Sequence, residues 1–294
     1  MIHEAADLDG DGIAEHLVNV PWRETSSVVP HELFCFSATG KPLWSIRLTD
    51  ELVFGAGRYG GPWLGLVDHN QSKAVATYDI RGSKRIAGVQ NHNSWWPAIL
   101  TVLDSRGRTV SKWIHAGSIR TVASLRGDPP LLLVVGTSNS RNAAFLAVLD
   151  ARDVSGSGPE EPGSPYECHS CAPGRTLRYF VFPPSELTLA HLLPYNHGVG
   201  VRLLSDGFDV QTQEVAPSFR LQGLFRFSLD FRLQHAAWSD GWLPTHRRFE
   251  REGKIDHTVE GCLEAKRSPR VLAWEPGSGF SEVRAEMPVA AAGR

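Results

Sequence analysis

Pairs of short apolar runs joined by glycine-containing turns recur along the first half of this chain. One pair, Leu33–Phe36 and Leu43–Leu48, is joined around Gly40, and another begins at Ile99–Leu103 and turns at Gly107. Such pairs are typical of β-hairpins. Because glycine and proline are also plentiful (28 and 19 residues) and methionine is scarce (2), a turn-dense chain is indicated. The sequence therefore predicts a mainly all-β fold.

An acidic run near the amino terminus, Asp7–Glu15, has Asp at positions 7, 9 and 11 and leads directly into an apolar stretch, His16–Val20. Carboxylates on alternate positions of a tight loop converge and repel one another unless a cation lies between them, and Ca²⁺ accepts six to eight oxygens at about 2.3–2.6 Å. The alternative is an Asp/Gly turn that satisfies its own amides without metal. We favour structural Ca²⁺, and the expected ligands are the side chains of Asp7, Asp9, Asp11 and Glu15 with the carbonyl of Ile13.

The acidic run differs from a helical EF-hand, in which the closing Glu occupies position 12 and a helix follows. Here the acid Glu15 occupies position 9 and a strand pattern follows, which resembles the FG-GAP/VCBS-type repeat of β-propellers. The Thr39-Gly-Lys-x-x-Trp44 hairpin resembles the repeat of quinoprotein-like (PQQ-type) propellers. These resemblances imply a β-propeller-like fold, and the second implies that Trp44 and Trp113 pack between adjacent blades.

Two degenerate copies of the acidic run can be aligned with it. Residues 79–89 and 124–134 keep the turn glycine, Gly82 or Gly127, and the strand after it, but they lose most carboxylates. We expect both to be structural turns without calcium. They start 45 residues apart, which fits a propeller blade of about 40–50 residues.

Three regions follow from this pattern. Residues 1–153 form a propeller repeat region with about three recognisable units, residues 154–172 a loop or linker rich in Pro, Gly and Ser, and residues 173–294 a diverged β-rich region supplying further blades or a cap. Since Met1 lies only six residues before Asp7, there is almost no room for a strand ahead of the loop, and the chain is expected to be a fragment or to begin upstream.

The last region carries several strand signals and one helix signal. Alternation across residues 221–233 predicts a single strand, and Pro244–Glu252 is predicted to be helical, with Pro in its first turn and Gly253 after its end. Residues 185–193 fit a short helix or a strand. The other predicted strands are Arg178–Phe182, Val199–Leu204, Phe208–Val215 and Arg270–Trp274.

Four cysteines do not define a disulfide framework in a chain of this length. Cys168 and Cys171 are interpreted first as structural residues, free or disulfide-linked. A zinc site would need two further ligands, for which His257 and Cys262 are the late candidates, and a redox role ranks last. Cys35 is predicted to be a small buried hydrophobic residue.

Other features have competing explanations. Gly55–Gly60 matches a dinucleotide fingerprint, but no helix follows, so a turn is predicted. The segments His92–Pro97 and His115–Gly117 lie beside strand ends and either line a binding surface or, as we favour, cap strands and pack blades. No Gly-x-Ser-x-Gly, phosphate-loop or His-Glu-x-x-His pattern occurs, so we expect a protein that is not an enzyme.

Charge and hydropathy restrict the partners. A formal net charge of −2 predicts no nucleic-acid partner, and no apolar run reaches the length of a transmembrane segment. The sequence therefore predicts a non-catalytic, calcium-stabilised binding or scaffold module of a larger surface or sensor protein, with a protein or glycan ligand. The alternatives are a quinoprotein-like or other propeller enzyme and an intracellular interaction domain without metal. Localisation stays open, since it depends on whether an export signal lies upstream.

Overall fold

The computed structural model describes residues 2–19, 32–61, 63–64, 74–92, 97–172, 174–190, 195–214, 221–266 and 269–285. Within these residues the chain forms strands and three short helices, which confirms the all-β prediction. No helix in the described part is long and apolar enough to cross a membrane.

Most strands follow one another in antiparallel order. In chain order the strands are β1 (Ile2–Ala6), β2 (Glu15–Asn19), β3 (Glu32–Phe36), β4 (Pro42–Arg47), β5 (Leu52–Phe54), β6 (Gly57–Tyr59), β7 (Trp63–Leu64), β8 (Val75–Ile80), β9 (Ser83–His92), β10 (Ala98–Asp104), β11 (Thr109–His115), β12 (Ile119–Leu125), β13 (Leu131–Ser138), β14 (Ala143–Asp150), β15 (Gly156–Ser157), β16 (Thr176–Phe182), β17 (Asn196–Leu203), β18 (Gly207–Glu214), β19 (Gln222–Ser228), β20 (Leu233–Trp238), β21 (Val271–Glu275) and β22 (Gly279–Val283). The helices are α1 (Glu186–Leu189), α2 (Trp242–Arg251) and α3 (Leu263–Lys266).

Four larger sheets contain nearly all of these strands. Sheet one has the order β1-β2-β3-β4, and sheet two has the order β15-β11-β10-β9-β7, with β8 also paired to β9. Sheet three has the order β12-β13-β14-β16-β21-β22, and sheet four has the order β17-β18-β19-β20. Strands β5 and β6 form a separate two-stranded hairpin, which packs against sheet two. Each large sheet is built mainly from antiparallel neighbours in sequence.

The sheets pack face to face, and this explains the long apolar runs of sheet three. On β13, Leu132 and Val134 belong to the core shared with sheet two, whereas Leu133 and Val135 belong to the core shared with sheet four. Because successive side chains of a strand point to opposite faces, a strand buried on both sides reads as a continuous apolar run. Each fully buried aliphatic or aromatic side chain contributes about 1.5–3 kcal/mol to folding.

The two tryptophans of the hairpins, Trp44 and Trp113, lie between sheets. Trp113 on β11 is fully buried in the core between sheets two and three. The indole of Trp44, on β4, donates a hydrogen bond of 3.1 Å to the carbonyl of Ser105 in the β10–β11 turn. A Cβ on Gly107 would lie 2.6 Å from that indole, so this turn requires glycine both for space and for its φ of +75°.

The segment between β14 and β16 is more than an exposed loop. Its strand β15 adds to the edge of sheet two, and Val154, Gly156 and Gly158 are buried. Strands β14 and β16, on either side of the segment, pair with each other in sheet three. Residues before and after 154–172 therefore belong to one sheet.

The predicted single strand over residues 221–233 is wrong. The structure divides it into β19 and β20, with a turn at residues 229–232 in which Phe231 has a φ of +64°. Alternation continues across the turn because Phe227 and Leu233 face the same core and are paired partners. A hairpin whose turn keeps the apolar rhythm cannot be distinguished from one longer strand by periodicity.

The predicted helix over Pro244–Glu252 is confirmed, and residues 185–193, which fit a helix or a strand, begin with a helix. Helix α2 starts at Trp242, two residues before the predicted start, and Gly253 follows its end with a φ of +66°. Residues 186–189 form the helix α1, capped by the Ser185 hydroxyl, which accepts a hydrogen bond of 3.3 Å from the Thr188 amide. Residues 191–194 lie outside the described residues.

Candidate metal site

The acidic run forms the connection between β1 and β2 at one end of sheet one. A five-residue strand precedes it, so the expectation of almost no room for a strand there is wrong. Carboxylate oxygens of Asp7, Asp9 and Glu15 lie within 4.8 Å of one another. Glu15 is buried at the start of β2, whereas Asp9 is exposed at the tip. Three of the four acidic side chains predicted as ligands are therefore brought together.

The loop amides point inward at the same carboxylates. Asp7 accepts hydrogen bonds from the amides of Gly10 (2.7 Å) and Gly12 (3.0 Å), and both glycines have a φ of +86°. Glu15 accepts a hydrogen bond of 2.7 Å from the amide of Leu8. Because a carboxylate has about four lone-pair sites, these bonds leave acceptor capacity for a cation.

Asp11 and Ile13 have different positions from the other predicted ligands. The carboxylate of Asp11 accepts a hydrogen bond of 2.7 Å from the amide of Ile13 and does not join the group of three. The Ile13 side chain is 55% exposed. The ligand set supported by side-chain geometry is Asp7, Asp9 and Glu15.

A groove of about 1180 Å³ lies beside the loop. The loop provides one wall through residues 8–10 and Glu15, and the β8–β9 and β10–β11 turns of sheet two provide the opposite wall. The opposite wall carries four cationic side chains, those of Lys84, Arg85, Arg106 and Arg108. Binding of an ion by the loop would fix one wall of this groove.

The cysteine predictions are resolved by a disulfide. Cys168 and Cys171 are bonded to each other, with Cα atoms 5.5 Å apart, so they are disulfide-linked, which is one of the two states predicted for a structural pair. A zinc site that combines them with His257 and Cys262 is wrong, because their sulfurs are consumed in the bond. Cys35 is fully buried, and burial, with a smaller effect of the Glu15 carboxylate, raises the pKa of its thiol to about 11.

The remaining candidate positions are structural where the structure describes them. Residues 55–60 form the turn and second strand of the β5–β6 hairpin, which confirms the predicted turn. His115 is buried against Phe145, with ring centroids 3.9 Å apart, and Nε2 lies 2.8 Å from the Tyr179 hydroxyl. It packs in a core and does not line a binding surface. Residues 93–96, including Trp95 and Trp96, lie outside the described residues.

A second group of potential ligands was only partly visible in the sequence. Glu186, His246, His257 and Cys262 converge beside helices α1 and α2. The short spacing between His257 and Cys262 is the signal that the sequence offers. The zinc site predicted from it wrongly included Cys168 and Cys171. Burial, with a smaller effect of Glu186, raises the pKa of the Cys262 thiol to about 11.

Comparisons with known proteins do not identify a family. No protein-family model matches the sequence, and no curated protein matches it. A structure described as a crystal structure of the eukaryotic initiation factor aligns with a TM-score of 0.31 and 11% identity, covering 82% of this chain and 55% of that one. A likeness this weak carries no argument about fold or function.

Proposed function

We propose that this chain is a non-catalytic, calcium-stabilised, β-propeller-like binding or scaffold module of a larger surface or sensor protein. The observation that carries the proposal is the convergence of Asp7, Asp9 and Glu15 within 4.8 Å at the end of a hairpin. An all-oxygen donor set from carboxylates suits Ca²⁺. The role of the ion is structural, since it ties the tip of the loop to the start of β2.

The sheet arrangement supports the propeller-like part of the proposal. Sheets one and four are four-stranded antiparallel meanders of consecutive strands, which is the unit of a propeller blade. The faces of successive sheets share cores, from sheet one through sheet four. A stack of such units presents its connecting loops at the sheet ends, where ligands are bound.

The groove beside the loop supports the binding part. Its cationic wall favours acidic groups on a protein or a glycan, because like charges across an interface are strongly disfavoured. Arg108 forms a salt bridge of 2.7 Å with Asp104, and Lys84 forms one of 2.8 Å with Asp79, so part of this positive charge is already neutralised. Calcium would hold Asp9 and its neighbours in place opposite these side chains.

Calorimetric titration of the metal-free chain with Ca²⁺ tests the proposal. We expect saturable binding that Asp9→Ala abolishes. Asp79→Ala is the matched control, because Asp79 occupies the position of Asp7 in the first degenerate copy and pairs only with Lys84 in the described residues. The proposal fails if no binding is seen at millimolar Ca²⁺, or if both variants lose binding equally.

One observation favours a second candidate, an intracellular interaction domain with an empty loop. The carboxylates of Asp7, Asp9 and Asp11 each accept hydrogen bonds from loop amides, so the turn can hold its shape without metal. The same titration separates the candidates. Saturable binding at about 10⁻⁴–10⁻³ M, the range of extracellular modules, favours the calcium-stabilised module, whereas no binding at millimolar Ca²⁺ favours the empty loop.

A further inference from the structure

A cluster of mixed donors lies where the helical segment meets sheet four. Glu186 begins α1, His246 lies in α2, and His257 and Cys262 lie in the segment between α2 and α3. One ligand atom from each lies within 4.8 Å of those of the other three. His246 and Cys262 are fully buried. The cluster thus joins two parts of the chain that are far apart in sequence.

The distances between donors fit a tetrahedral metal ion. Nε2 of His246 lies 3.2 Å from Oε1 of Glu186 and 3.4 Å from Nε2 of His257. Nε2 of His257 lies 3.3 Å from Oε2 of Glu186. Metal–N and metal–O bonds of about 2.0–2.1 Å give a tetrahedron with edges of about 3.3 Å, which matches the distances from His246 to Glu186 and to His257, whereas His257 faces the second oxygen of that carboxylate.

The cysteine completes the set of four donors. Its Sγ lies 2.7 Å from Oε1 of Glu186, a thiol-to-carboxylate hydrogen bond. A cation that replaces the thiol proton would bind both atoms, and the sulfur–oxygen distance would lengthen toward that of a tetrahedral edge. Sγ also accepts a hydrogen bond of 3.2 Å from the amide of Ala265, which helps to fix the position of the sulfur.

The two histidines turn the same ring nitrogen toward the cluster. Their Nε2 atoms lie 3.4 Å apart, and each also lies within 3.3 Å of an oxygen of Glu186. Nδ1 of His257 lies 3.1 Å from Oδ1 of Asp256. A proton held on Nδ1 by a carboxylate leaves the Nε2 lone pair free, which is the usual arrangement of a metal-binding histidine.

The elements that carry the ligands are held by other contacts. The amide of Glu186 donates to Glu264 (3.0 Å), and the amide of Ser185 donates to the buried Glu214 (3.0 Å) on β18. The apolar cluster below is small, comprising Leu187, Leu221, Trp242, Phe249 and Cys262. Helices α1 and α3 have four residues each, too few to be stable alone.

We propose that Glu186, His246, His257 and Cys262 form a structural zinc site that fastens the helical segment 242–266 to the start of α1. Two imidazoles, a thiolate and a carboxylate suit zinc, whereas Ca²⁺ and Mg²⁺ prefer oxygen alone. Four protein ligands close the coordination shell, as in structural zinc sites. The site is separate from the acidic loop and stands whether or not that loop binds calcium.

Titration of the whole metal-free chain with Zn²⁺ and Co²⁺ tests the site. We expect one ion per chain, with the visible bands of tetrahedral Co²⁺ and a thiolate-to-metal charge-transfer band. Cys262→Ser removes the charge-transfer band, whereas Cys35→Ala retains it. Asp256→Asn weakens zinc binding by about 10-fold, and His257→Gln, which removes a ligand, weakens it further.

Matched controls guard against misfolding and adventitious binding. His257 is partly exposed, so its Gln variant is expected to keep the circular dichroism spectrum of the parent chain. His235→Gln alters an exposed histidine on β20 outside the cluster and should leave affinity unchanged. The proposal is overturned if the Co²⁺ complex lacks a thiolate band, if Cys262→Ser retains it, or if His235→Gln weakens binding as much as His257→Gln.

Discussion

Two regions of the chain assemble candidate metal sites in different ways. One is the acidic loop, residues 7–15, and the other is the helical cluster formed by Glu186, His246, His257 and Cys262. The loop draws its oxygens from residues 7–15, and its carboxylates already accept bonds from nearby amides. The cluster draws nitrogen, sulfur and oxygen donors from positions as far as 76 residues apart, and two of its ligands are fully buried. The loop can therefore keep its shape without an ion, whereas the stability of the region around the cluster should depend more strongly on its ion.

The largest expected effect is that of zinc on the helical cluster. Zinc at 1,000 times its dissociation constant should add about 4 kcal/mol to the free energy of unfolding. Cys262→Ser should lose this gain, whereas Asp9→Ala should keep it. Chemical denaturation with and without zinc measures the difference. Equal gains in the two variants would remove the distinction between the regions.

Buried His115 lies in neither region and predicts a separate loss of stability in acid. Burial lowers its pKa to about 4, whereas the unfolded chain has the ordinary value of about 6.5. As pH falls from 6.5 toward 4, the unfolded state takes up a proton that the folded state does not. The free energy of unfolding should therefore fall, by up to about 3 kcal/mol.

His115→Gln should remove this part of the pH dependence. Denaturant titrations of the parent chain and the variant at pH 7 and pH 4.5 measure it, since the carboxylate contributions are common to both. A parent chain and variant with the same pH dependence would show that the imidazole is not held neutral in the core.

Calcium should stabilise the loop by a smaller amount than zinc stabilises the cluster, because a dissociation constant of about 10⁻⁴–10⁻³ M limits the excess of free Ca²⁺ that can be reached. At 100 times its dissociation constant the gain is about 2.7 kcal/mol. Asp9→Ala should abolish this gain, and Cys262→Ser should retain it, the reverse of the zinc result. Thermal melts with and without Ca²⁺ measure the effect, and an unchanged melt of the parent chain would contradict it.

Reduction of the Cys168–Cys171 bond should have the smallest effect. The sequence separation is only three residues, and closing so short a loop constrains the unfolded chain by at most about 2 kcal/mol. Cys168→Ser/Cys171→Ser should leave zinc binding unchanged, because neither sulfur belongs to the helical cluster. Loss of zinc binding in this variant would indicate that Cys168 or Cys171 is a zinc ligand.

Much of the fold could be predicted because its signals are local. The hairpin turns at Gly40 and Gly107 and the helix before Gly253 were all visible in short windows of sequence. The predicted strand across residues 221–233 failed because the turn keeps the apolar alternation on both sides. For the acidic loop the sequence predicted four acidic ligands, and the structure brings together those of Asp7, Asp9 and Glu15.

The sequence by itself determined the β-rich class, the turn positions and the acidic loop, because each depends on neighbours within about ten residues. Only the tertiary structure decided which faces of sheet three meet sheets two and four, since an apolar run indicates that a strand is buried and not which sheet it packs against. It also decided that Glu186 and His246 join His257 and Cys262. Ligands carried on separate elements become neighbours only through packing, and no spacing along the chain encodes that approach.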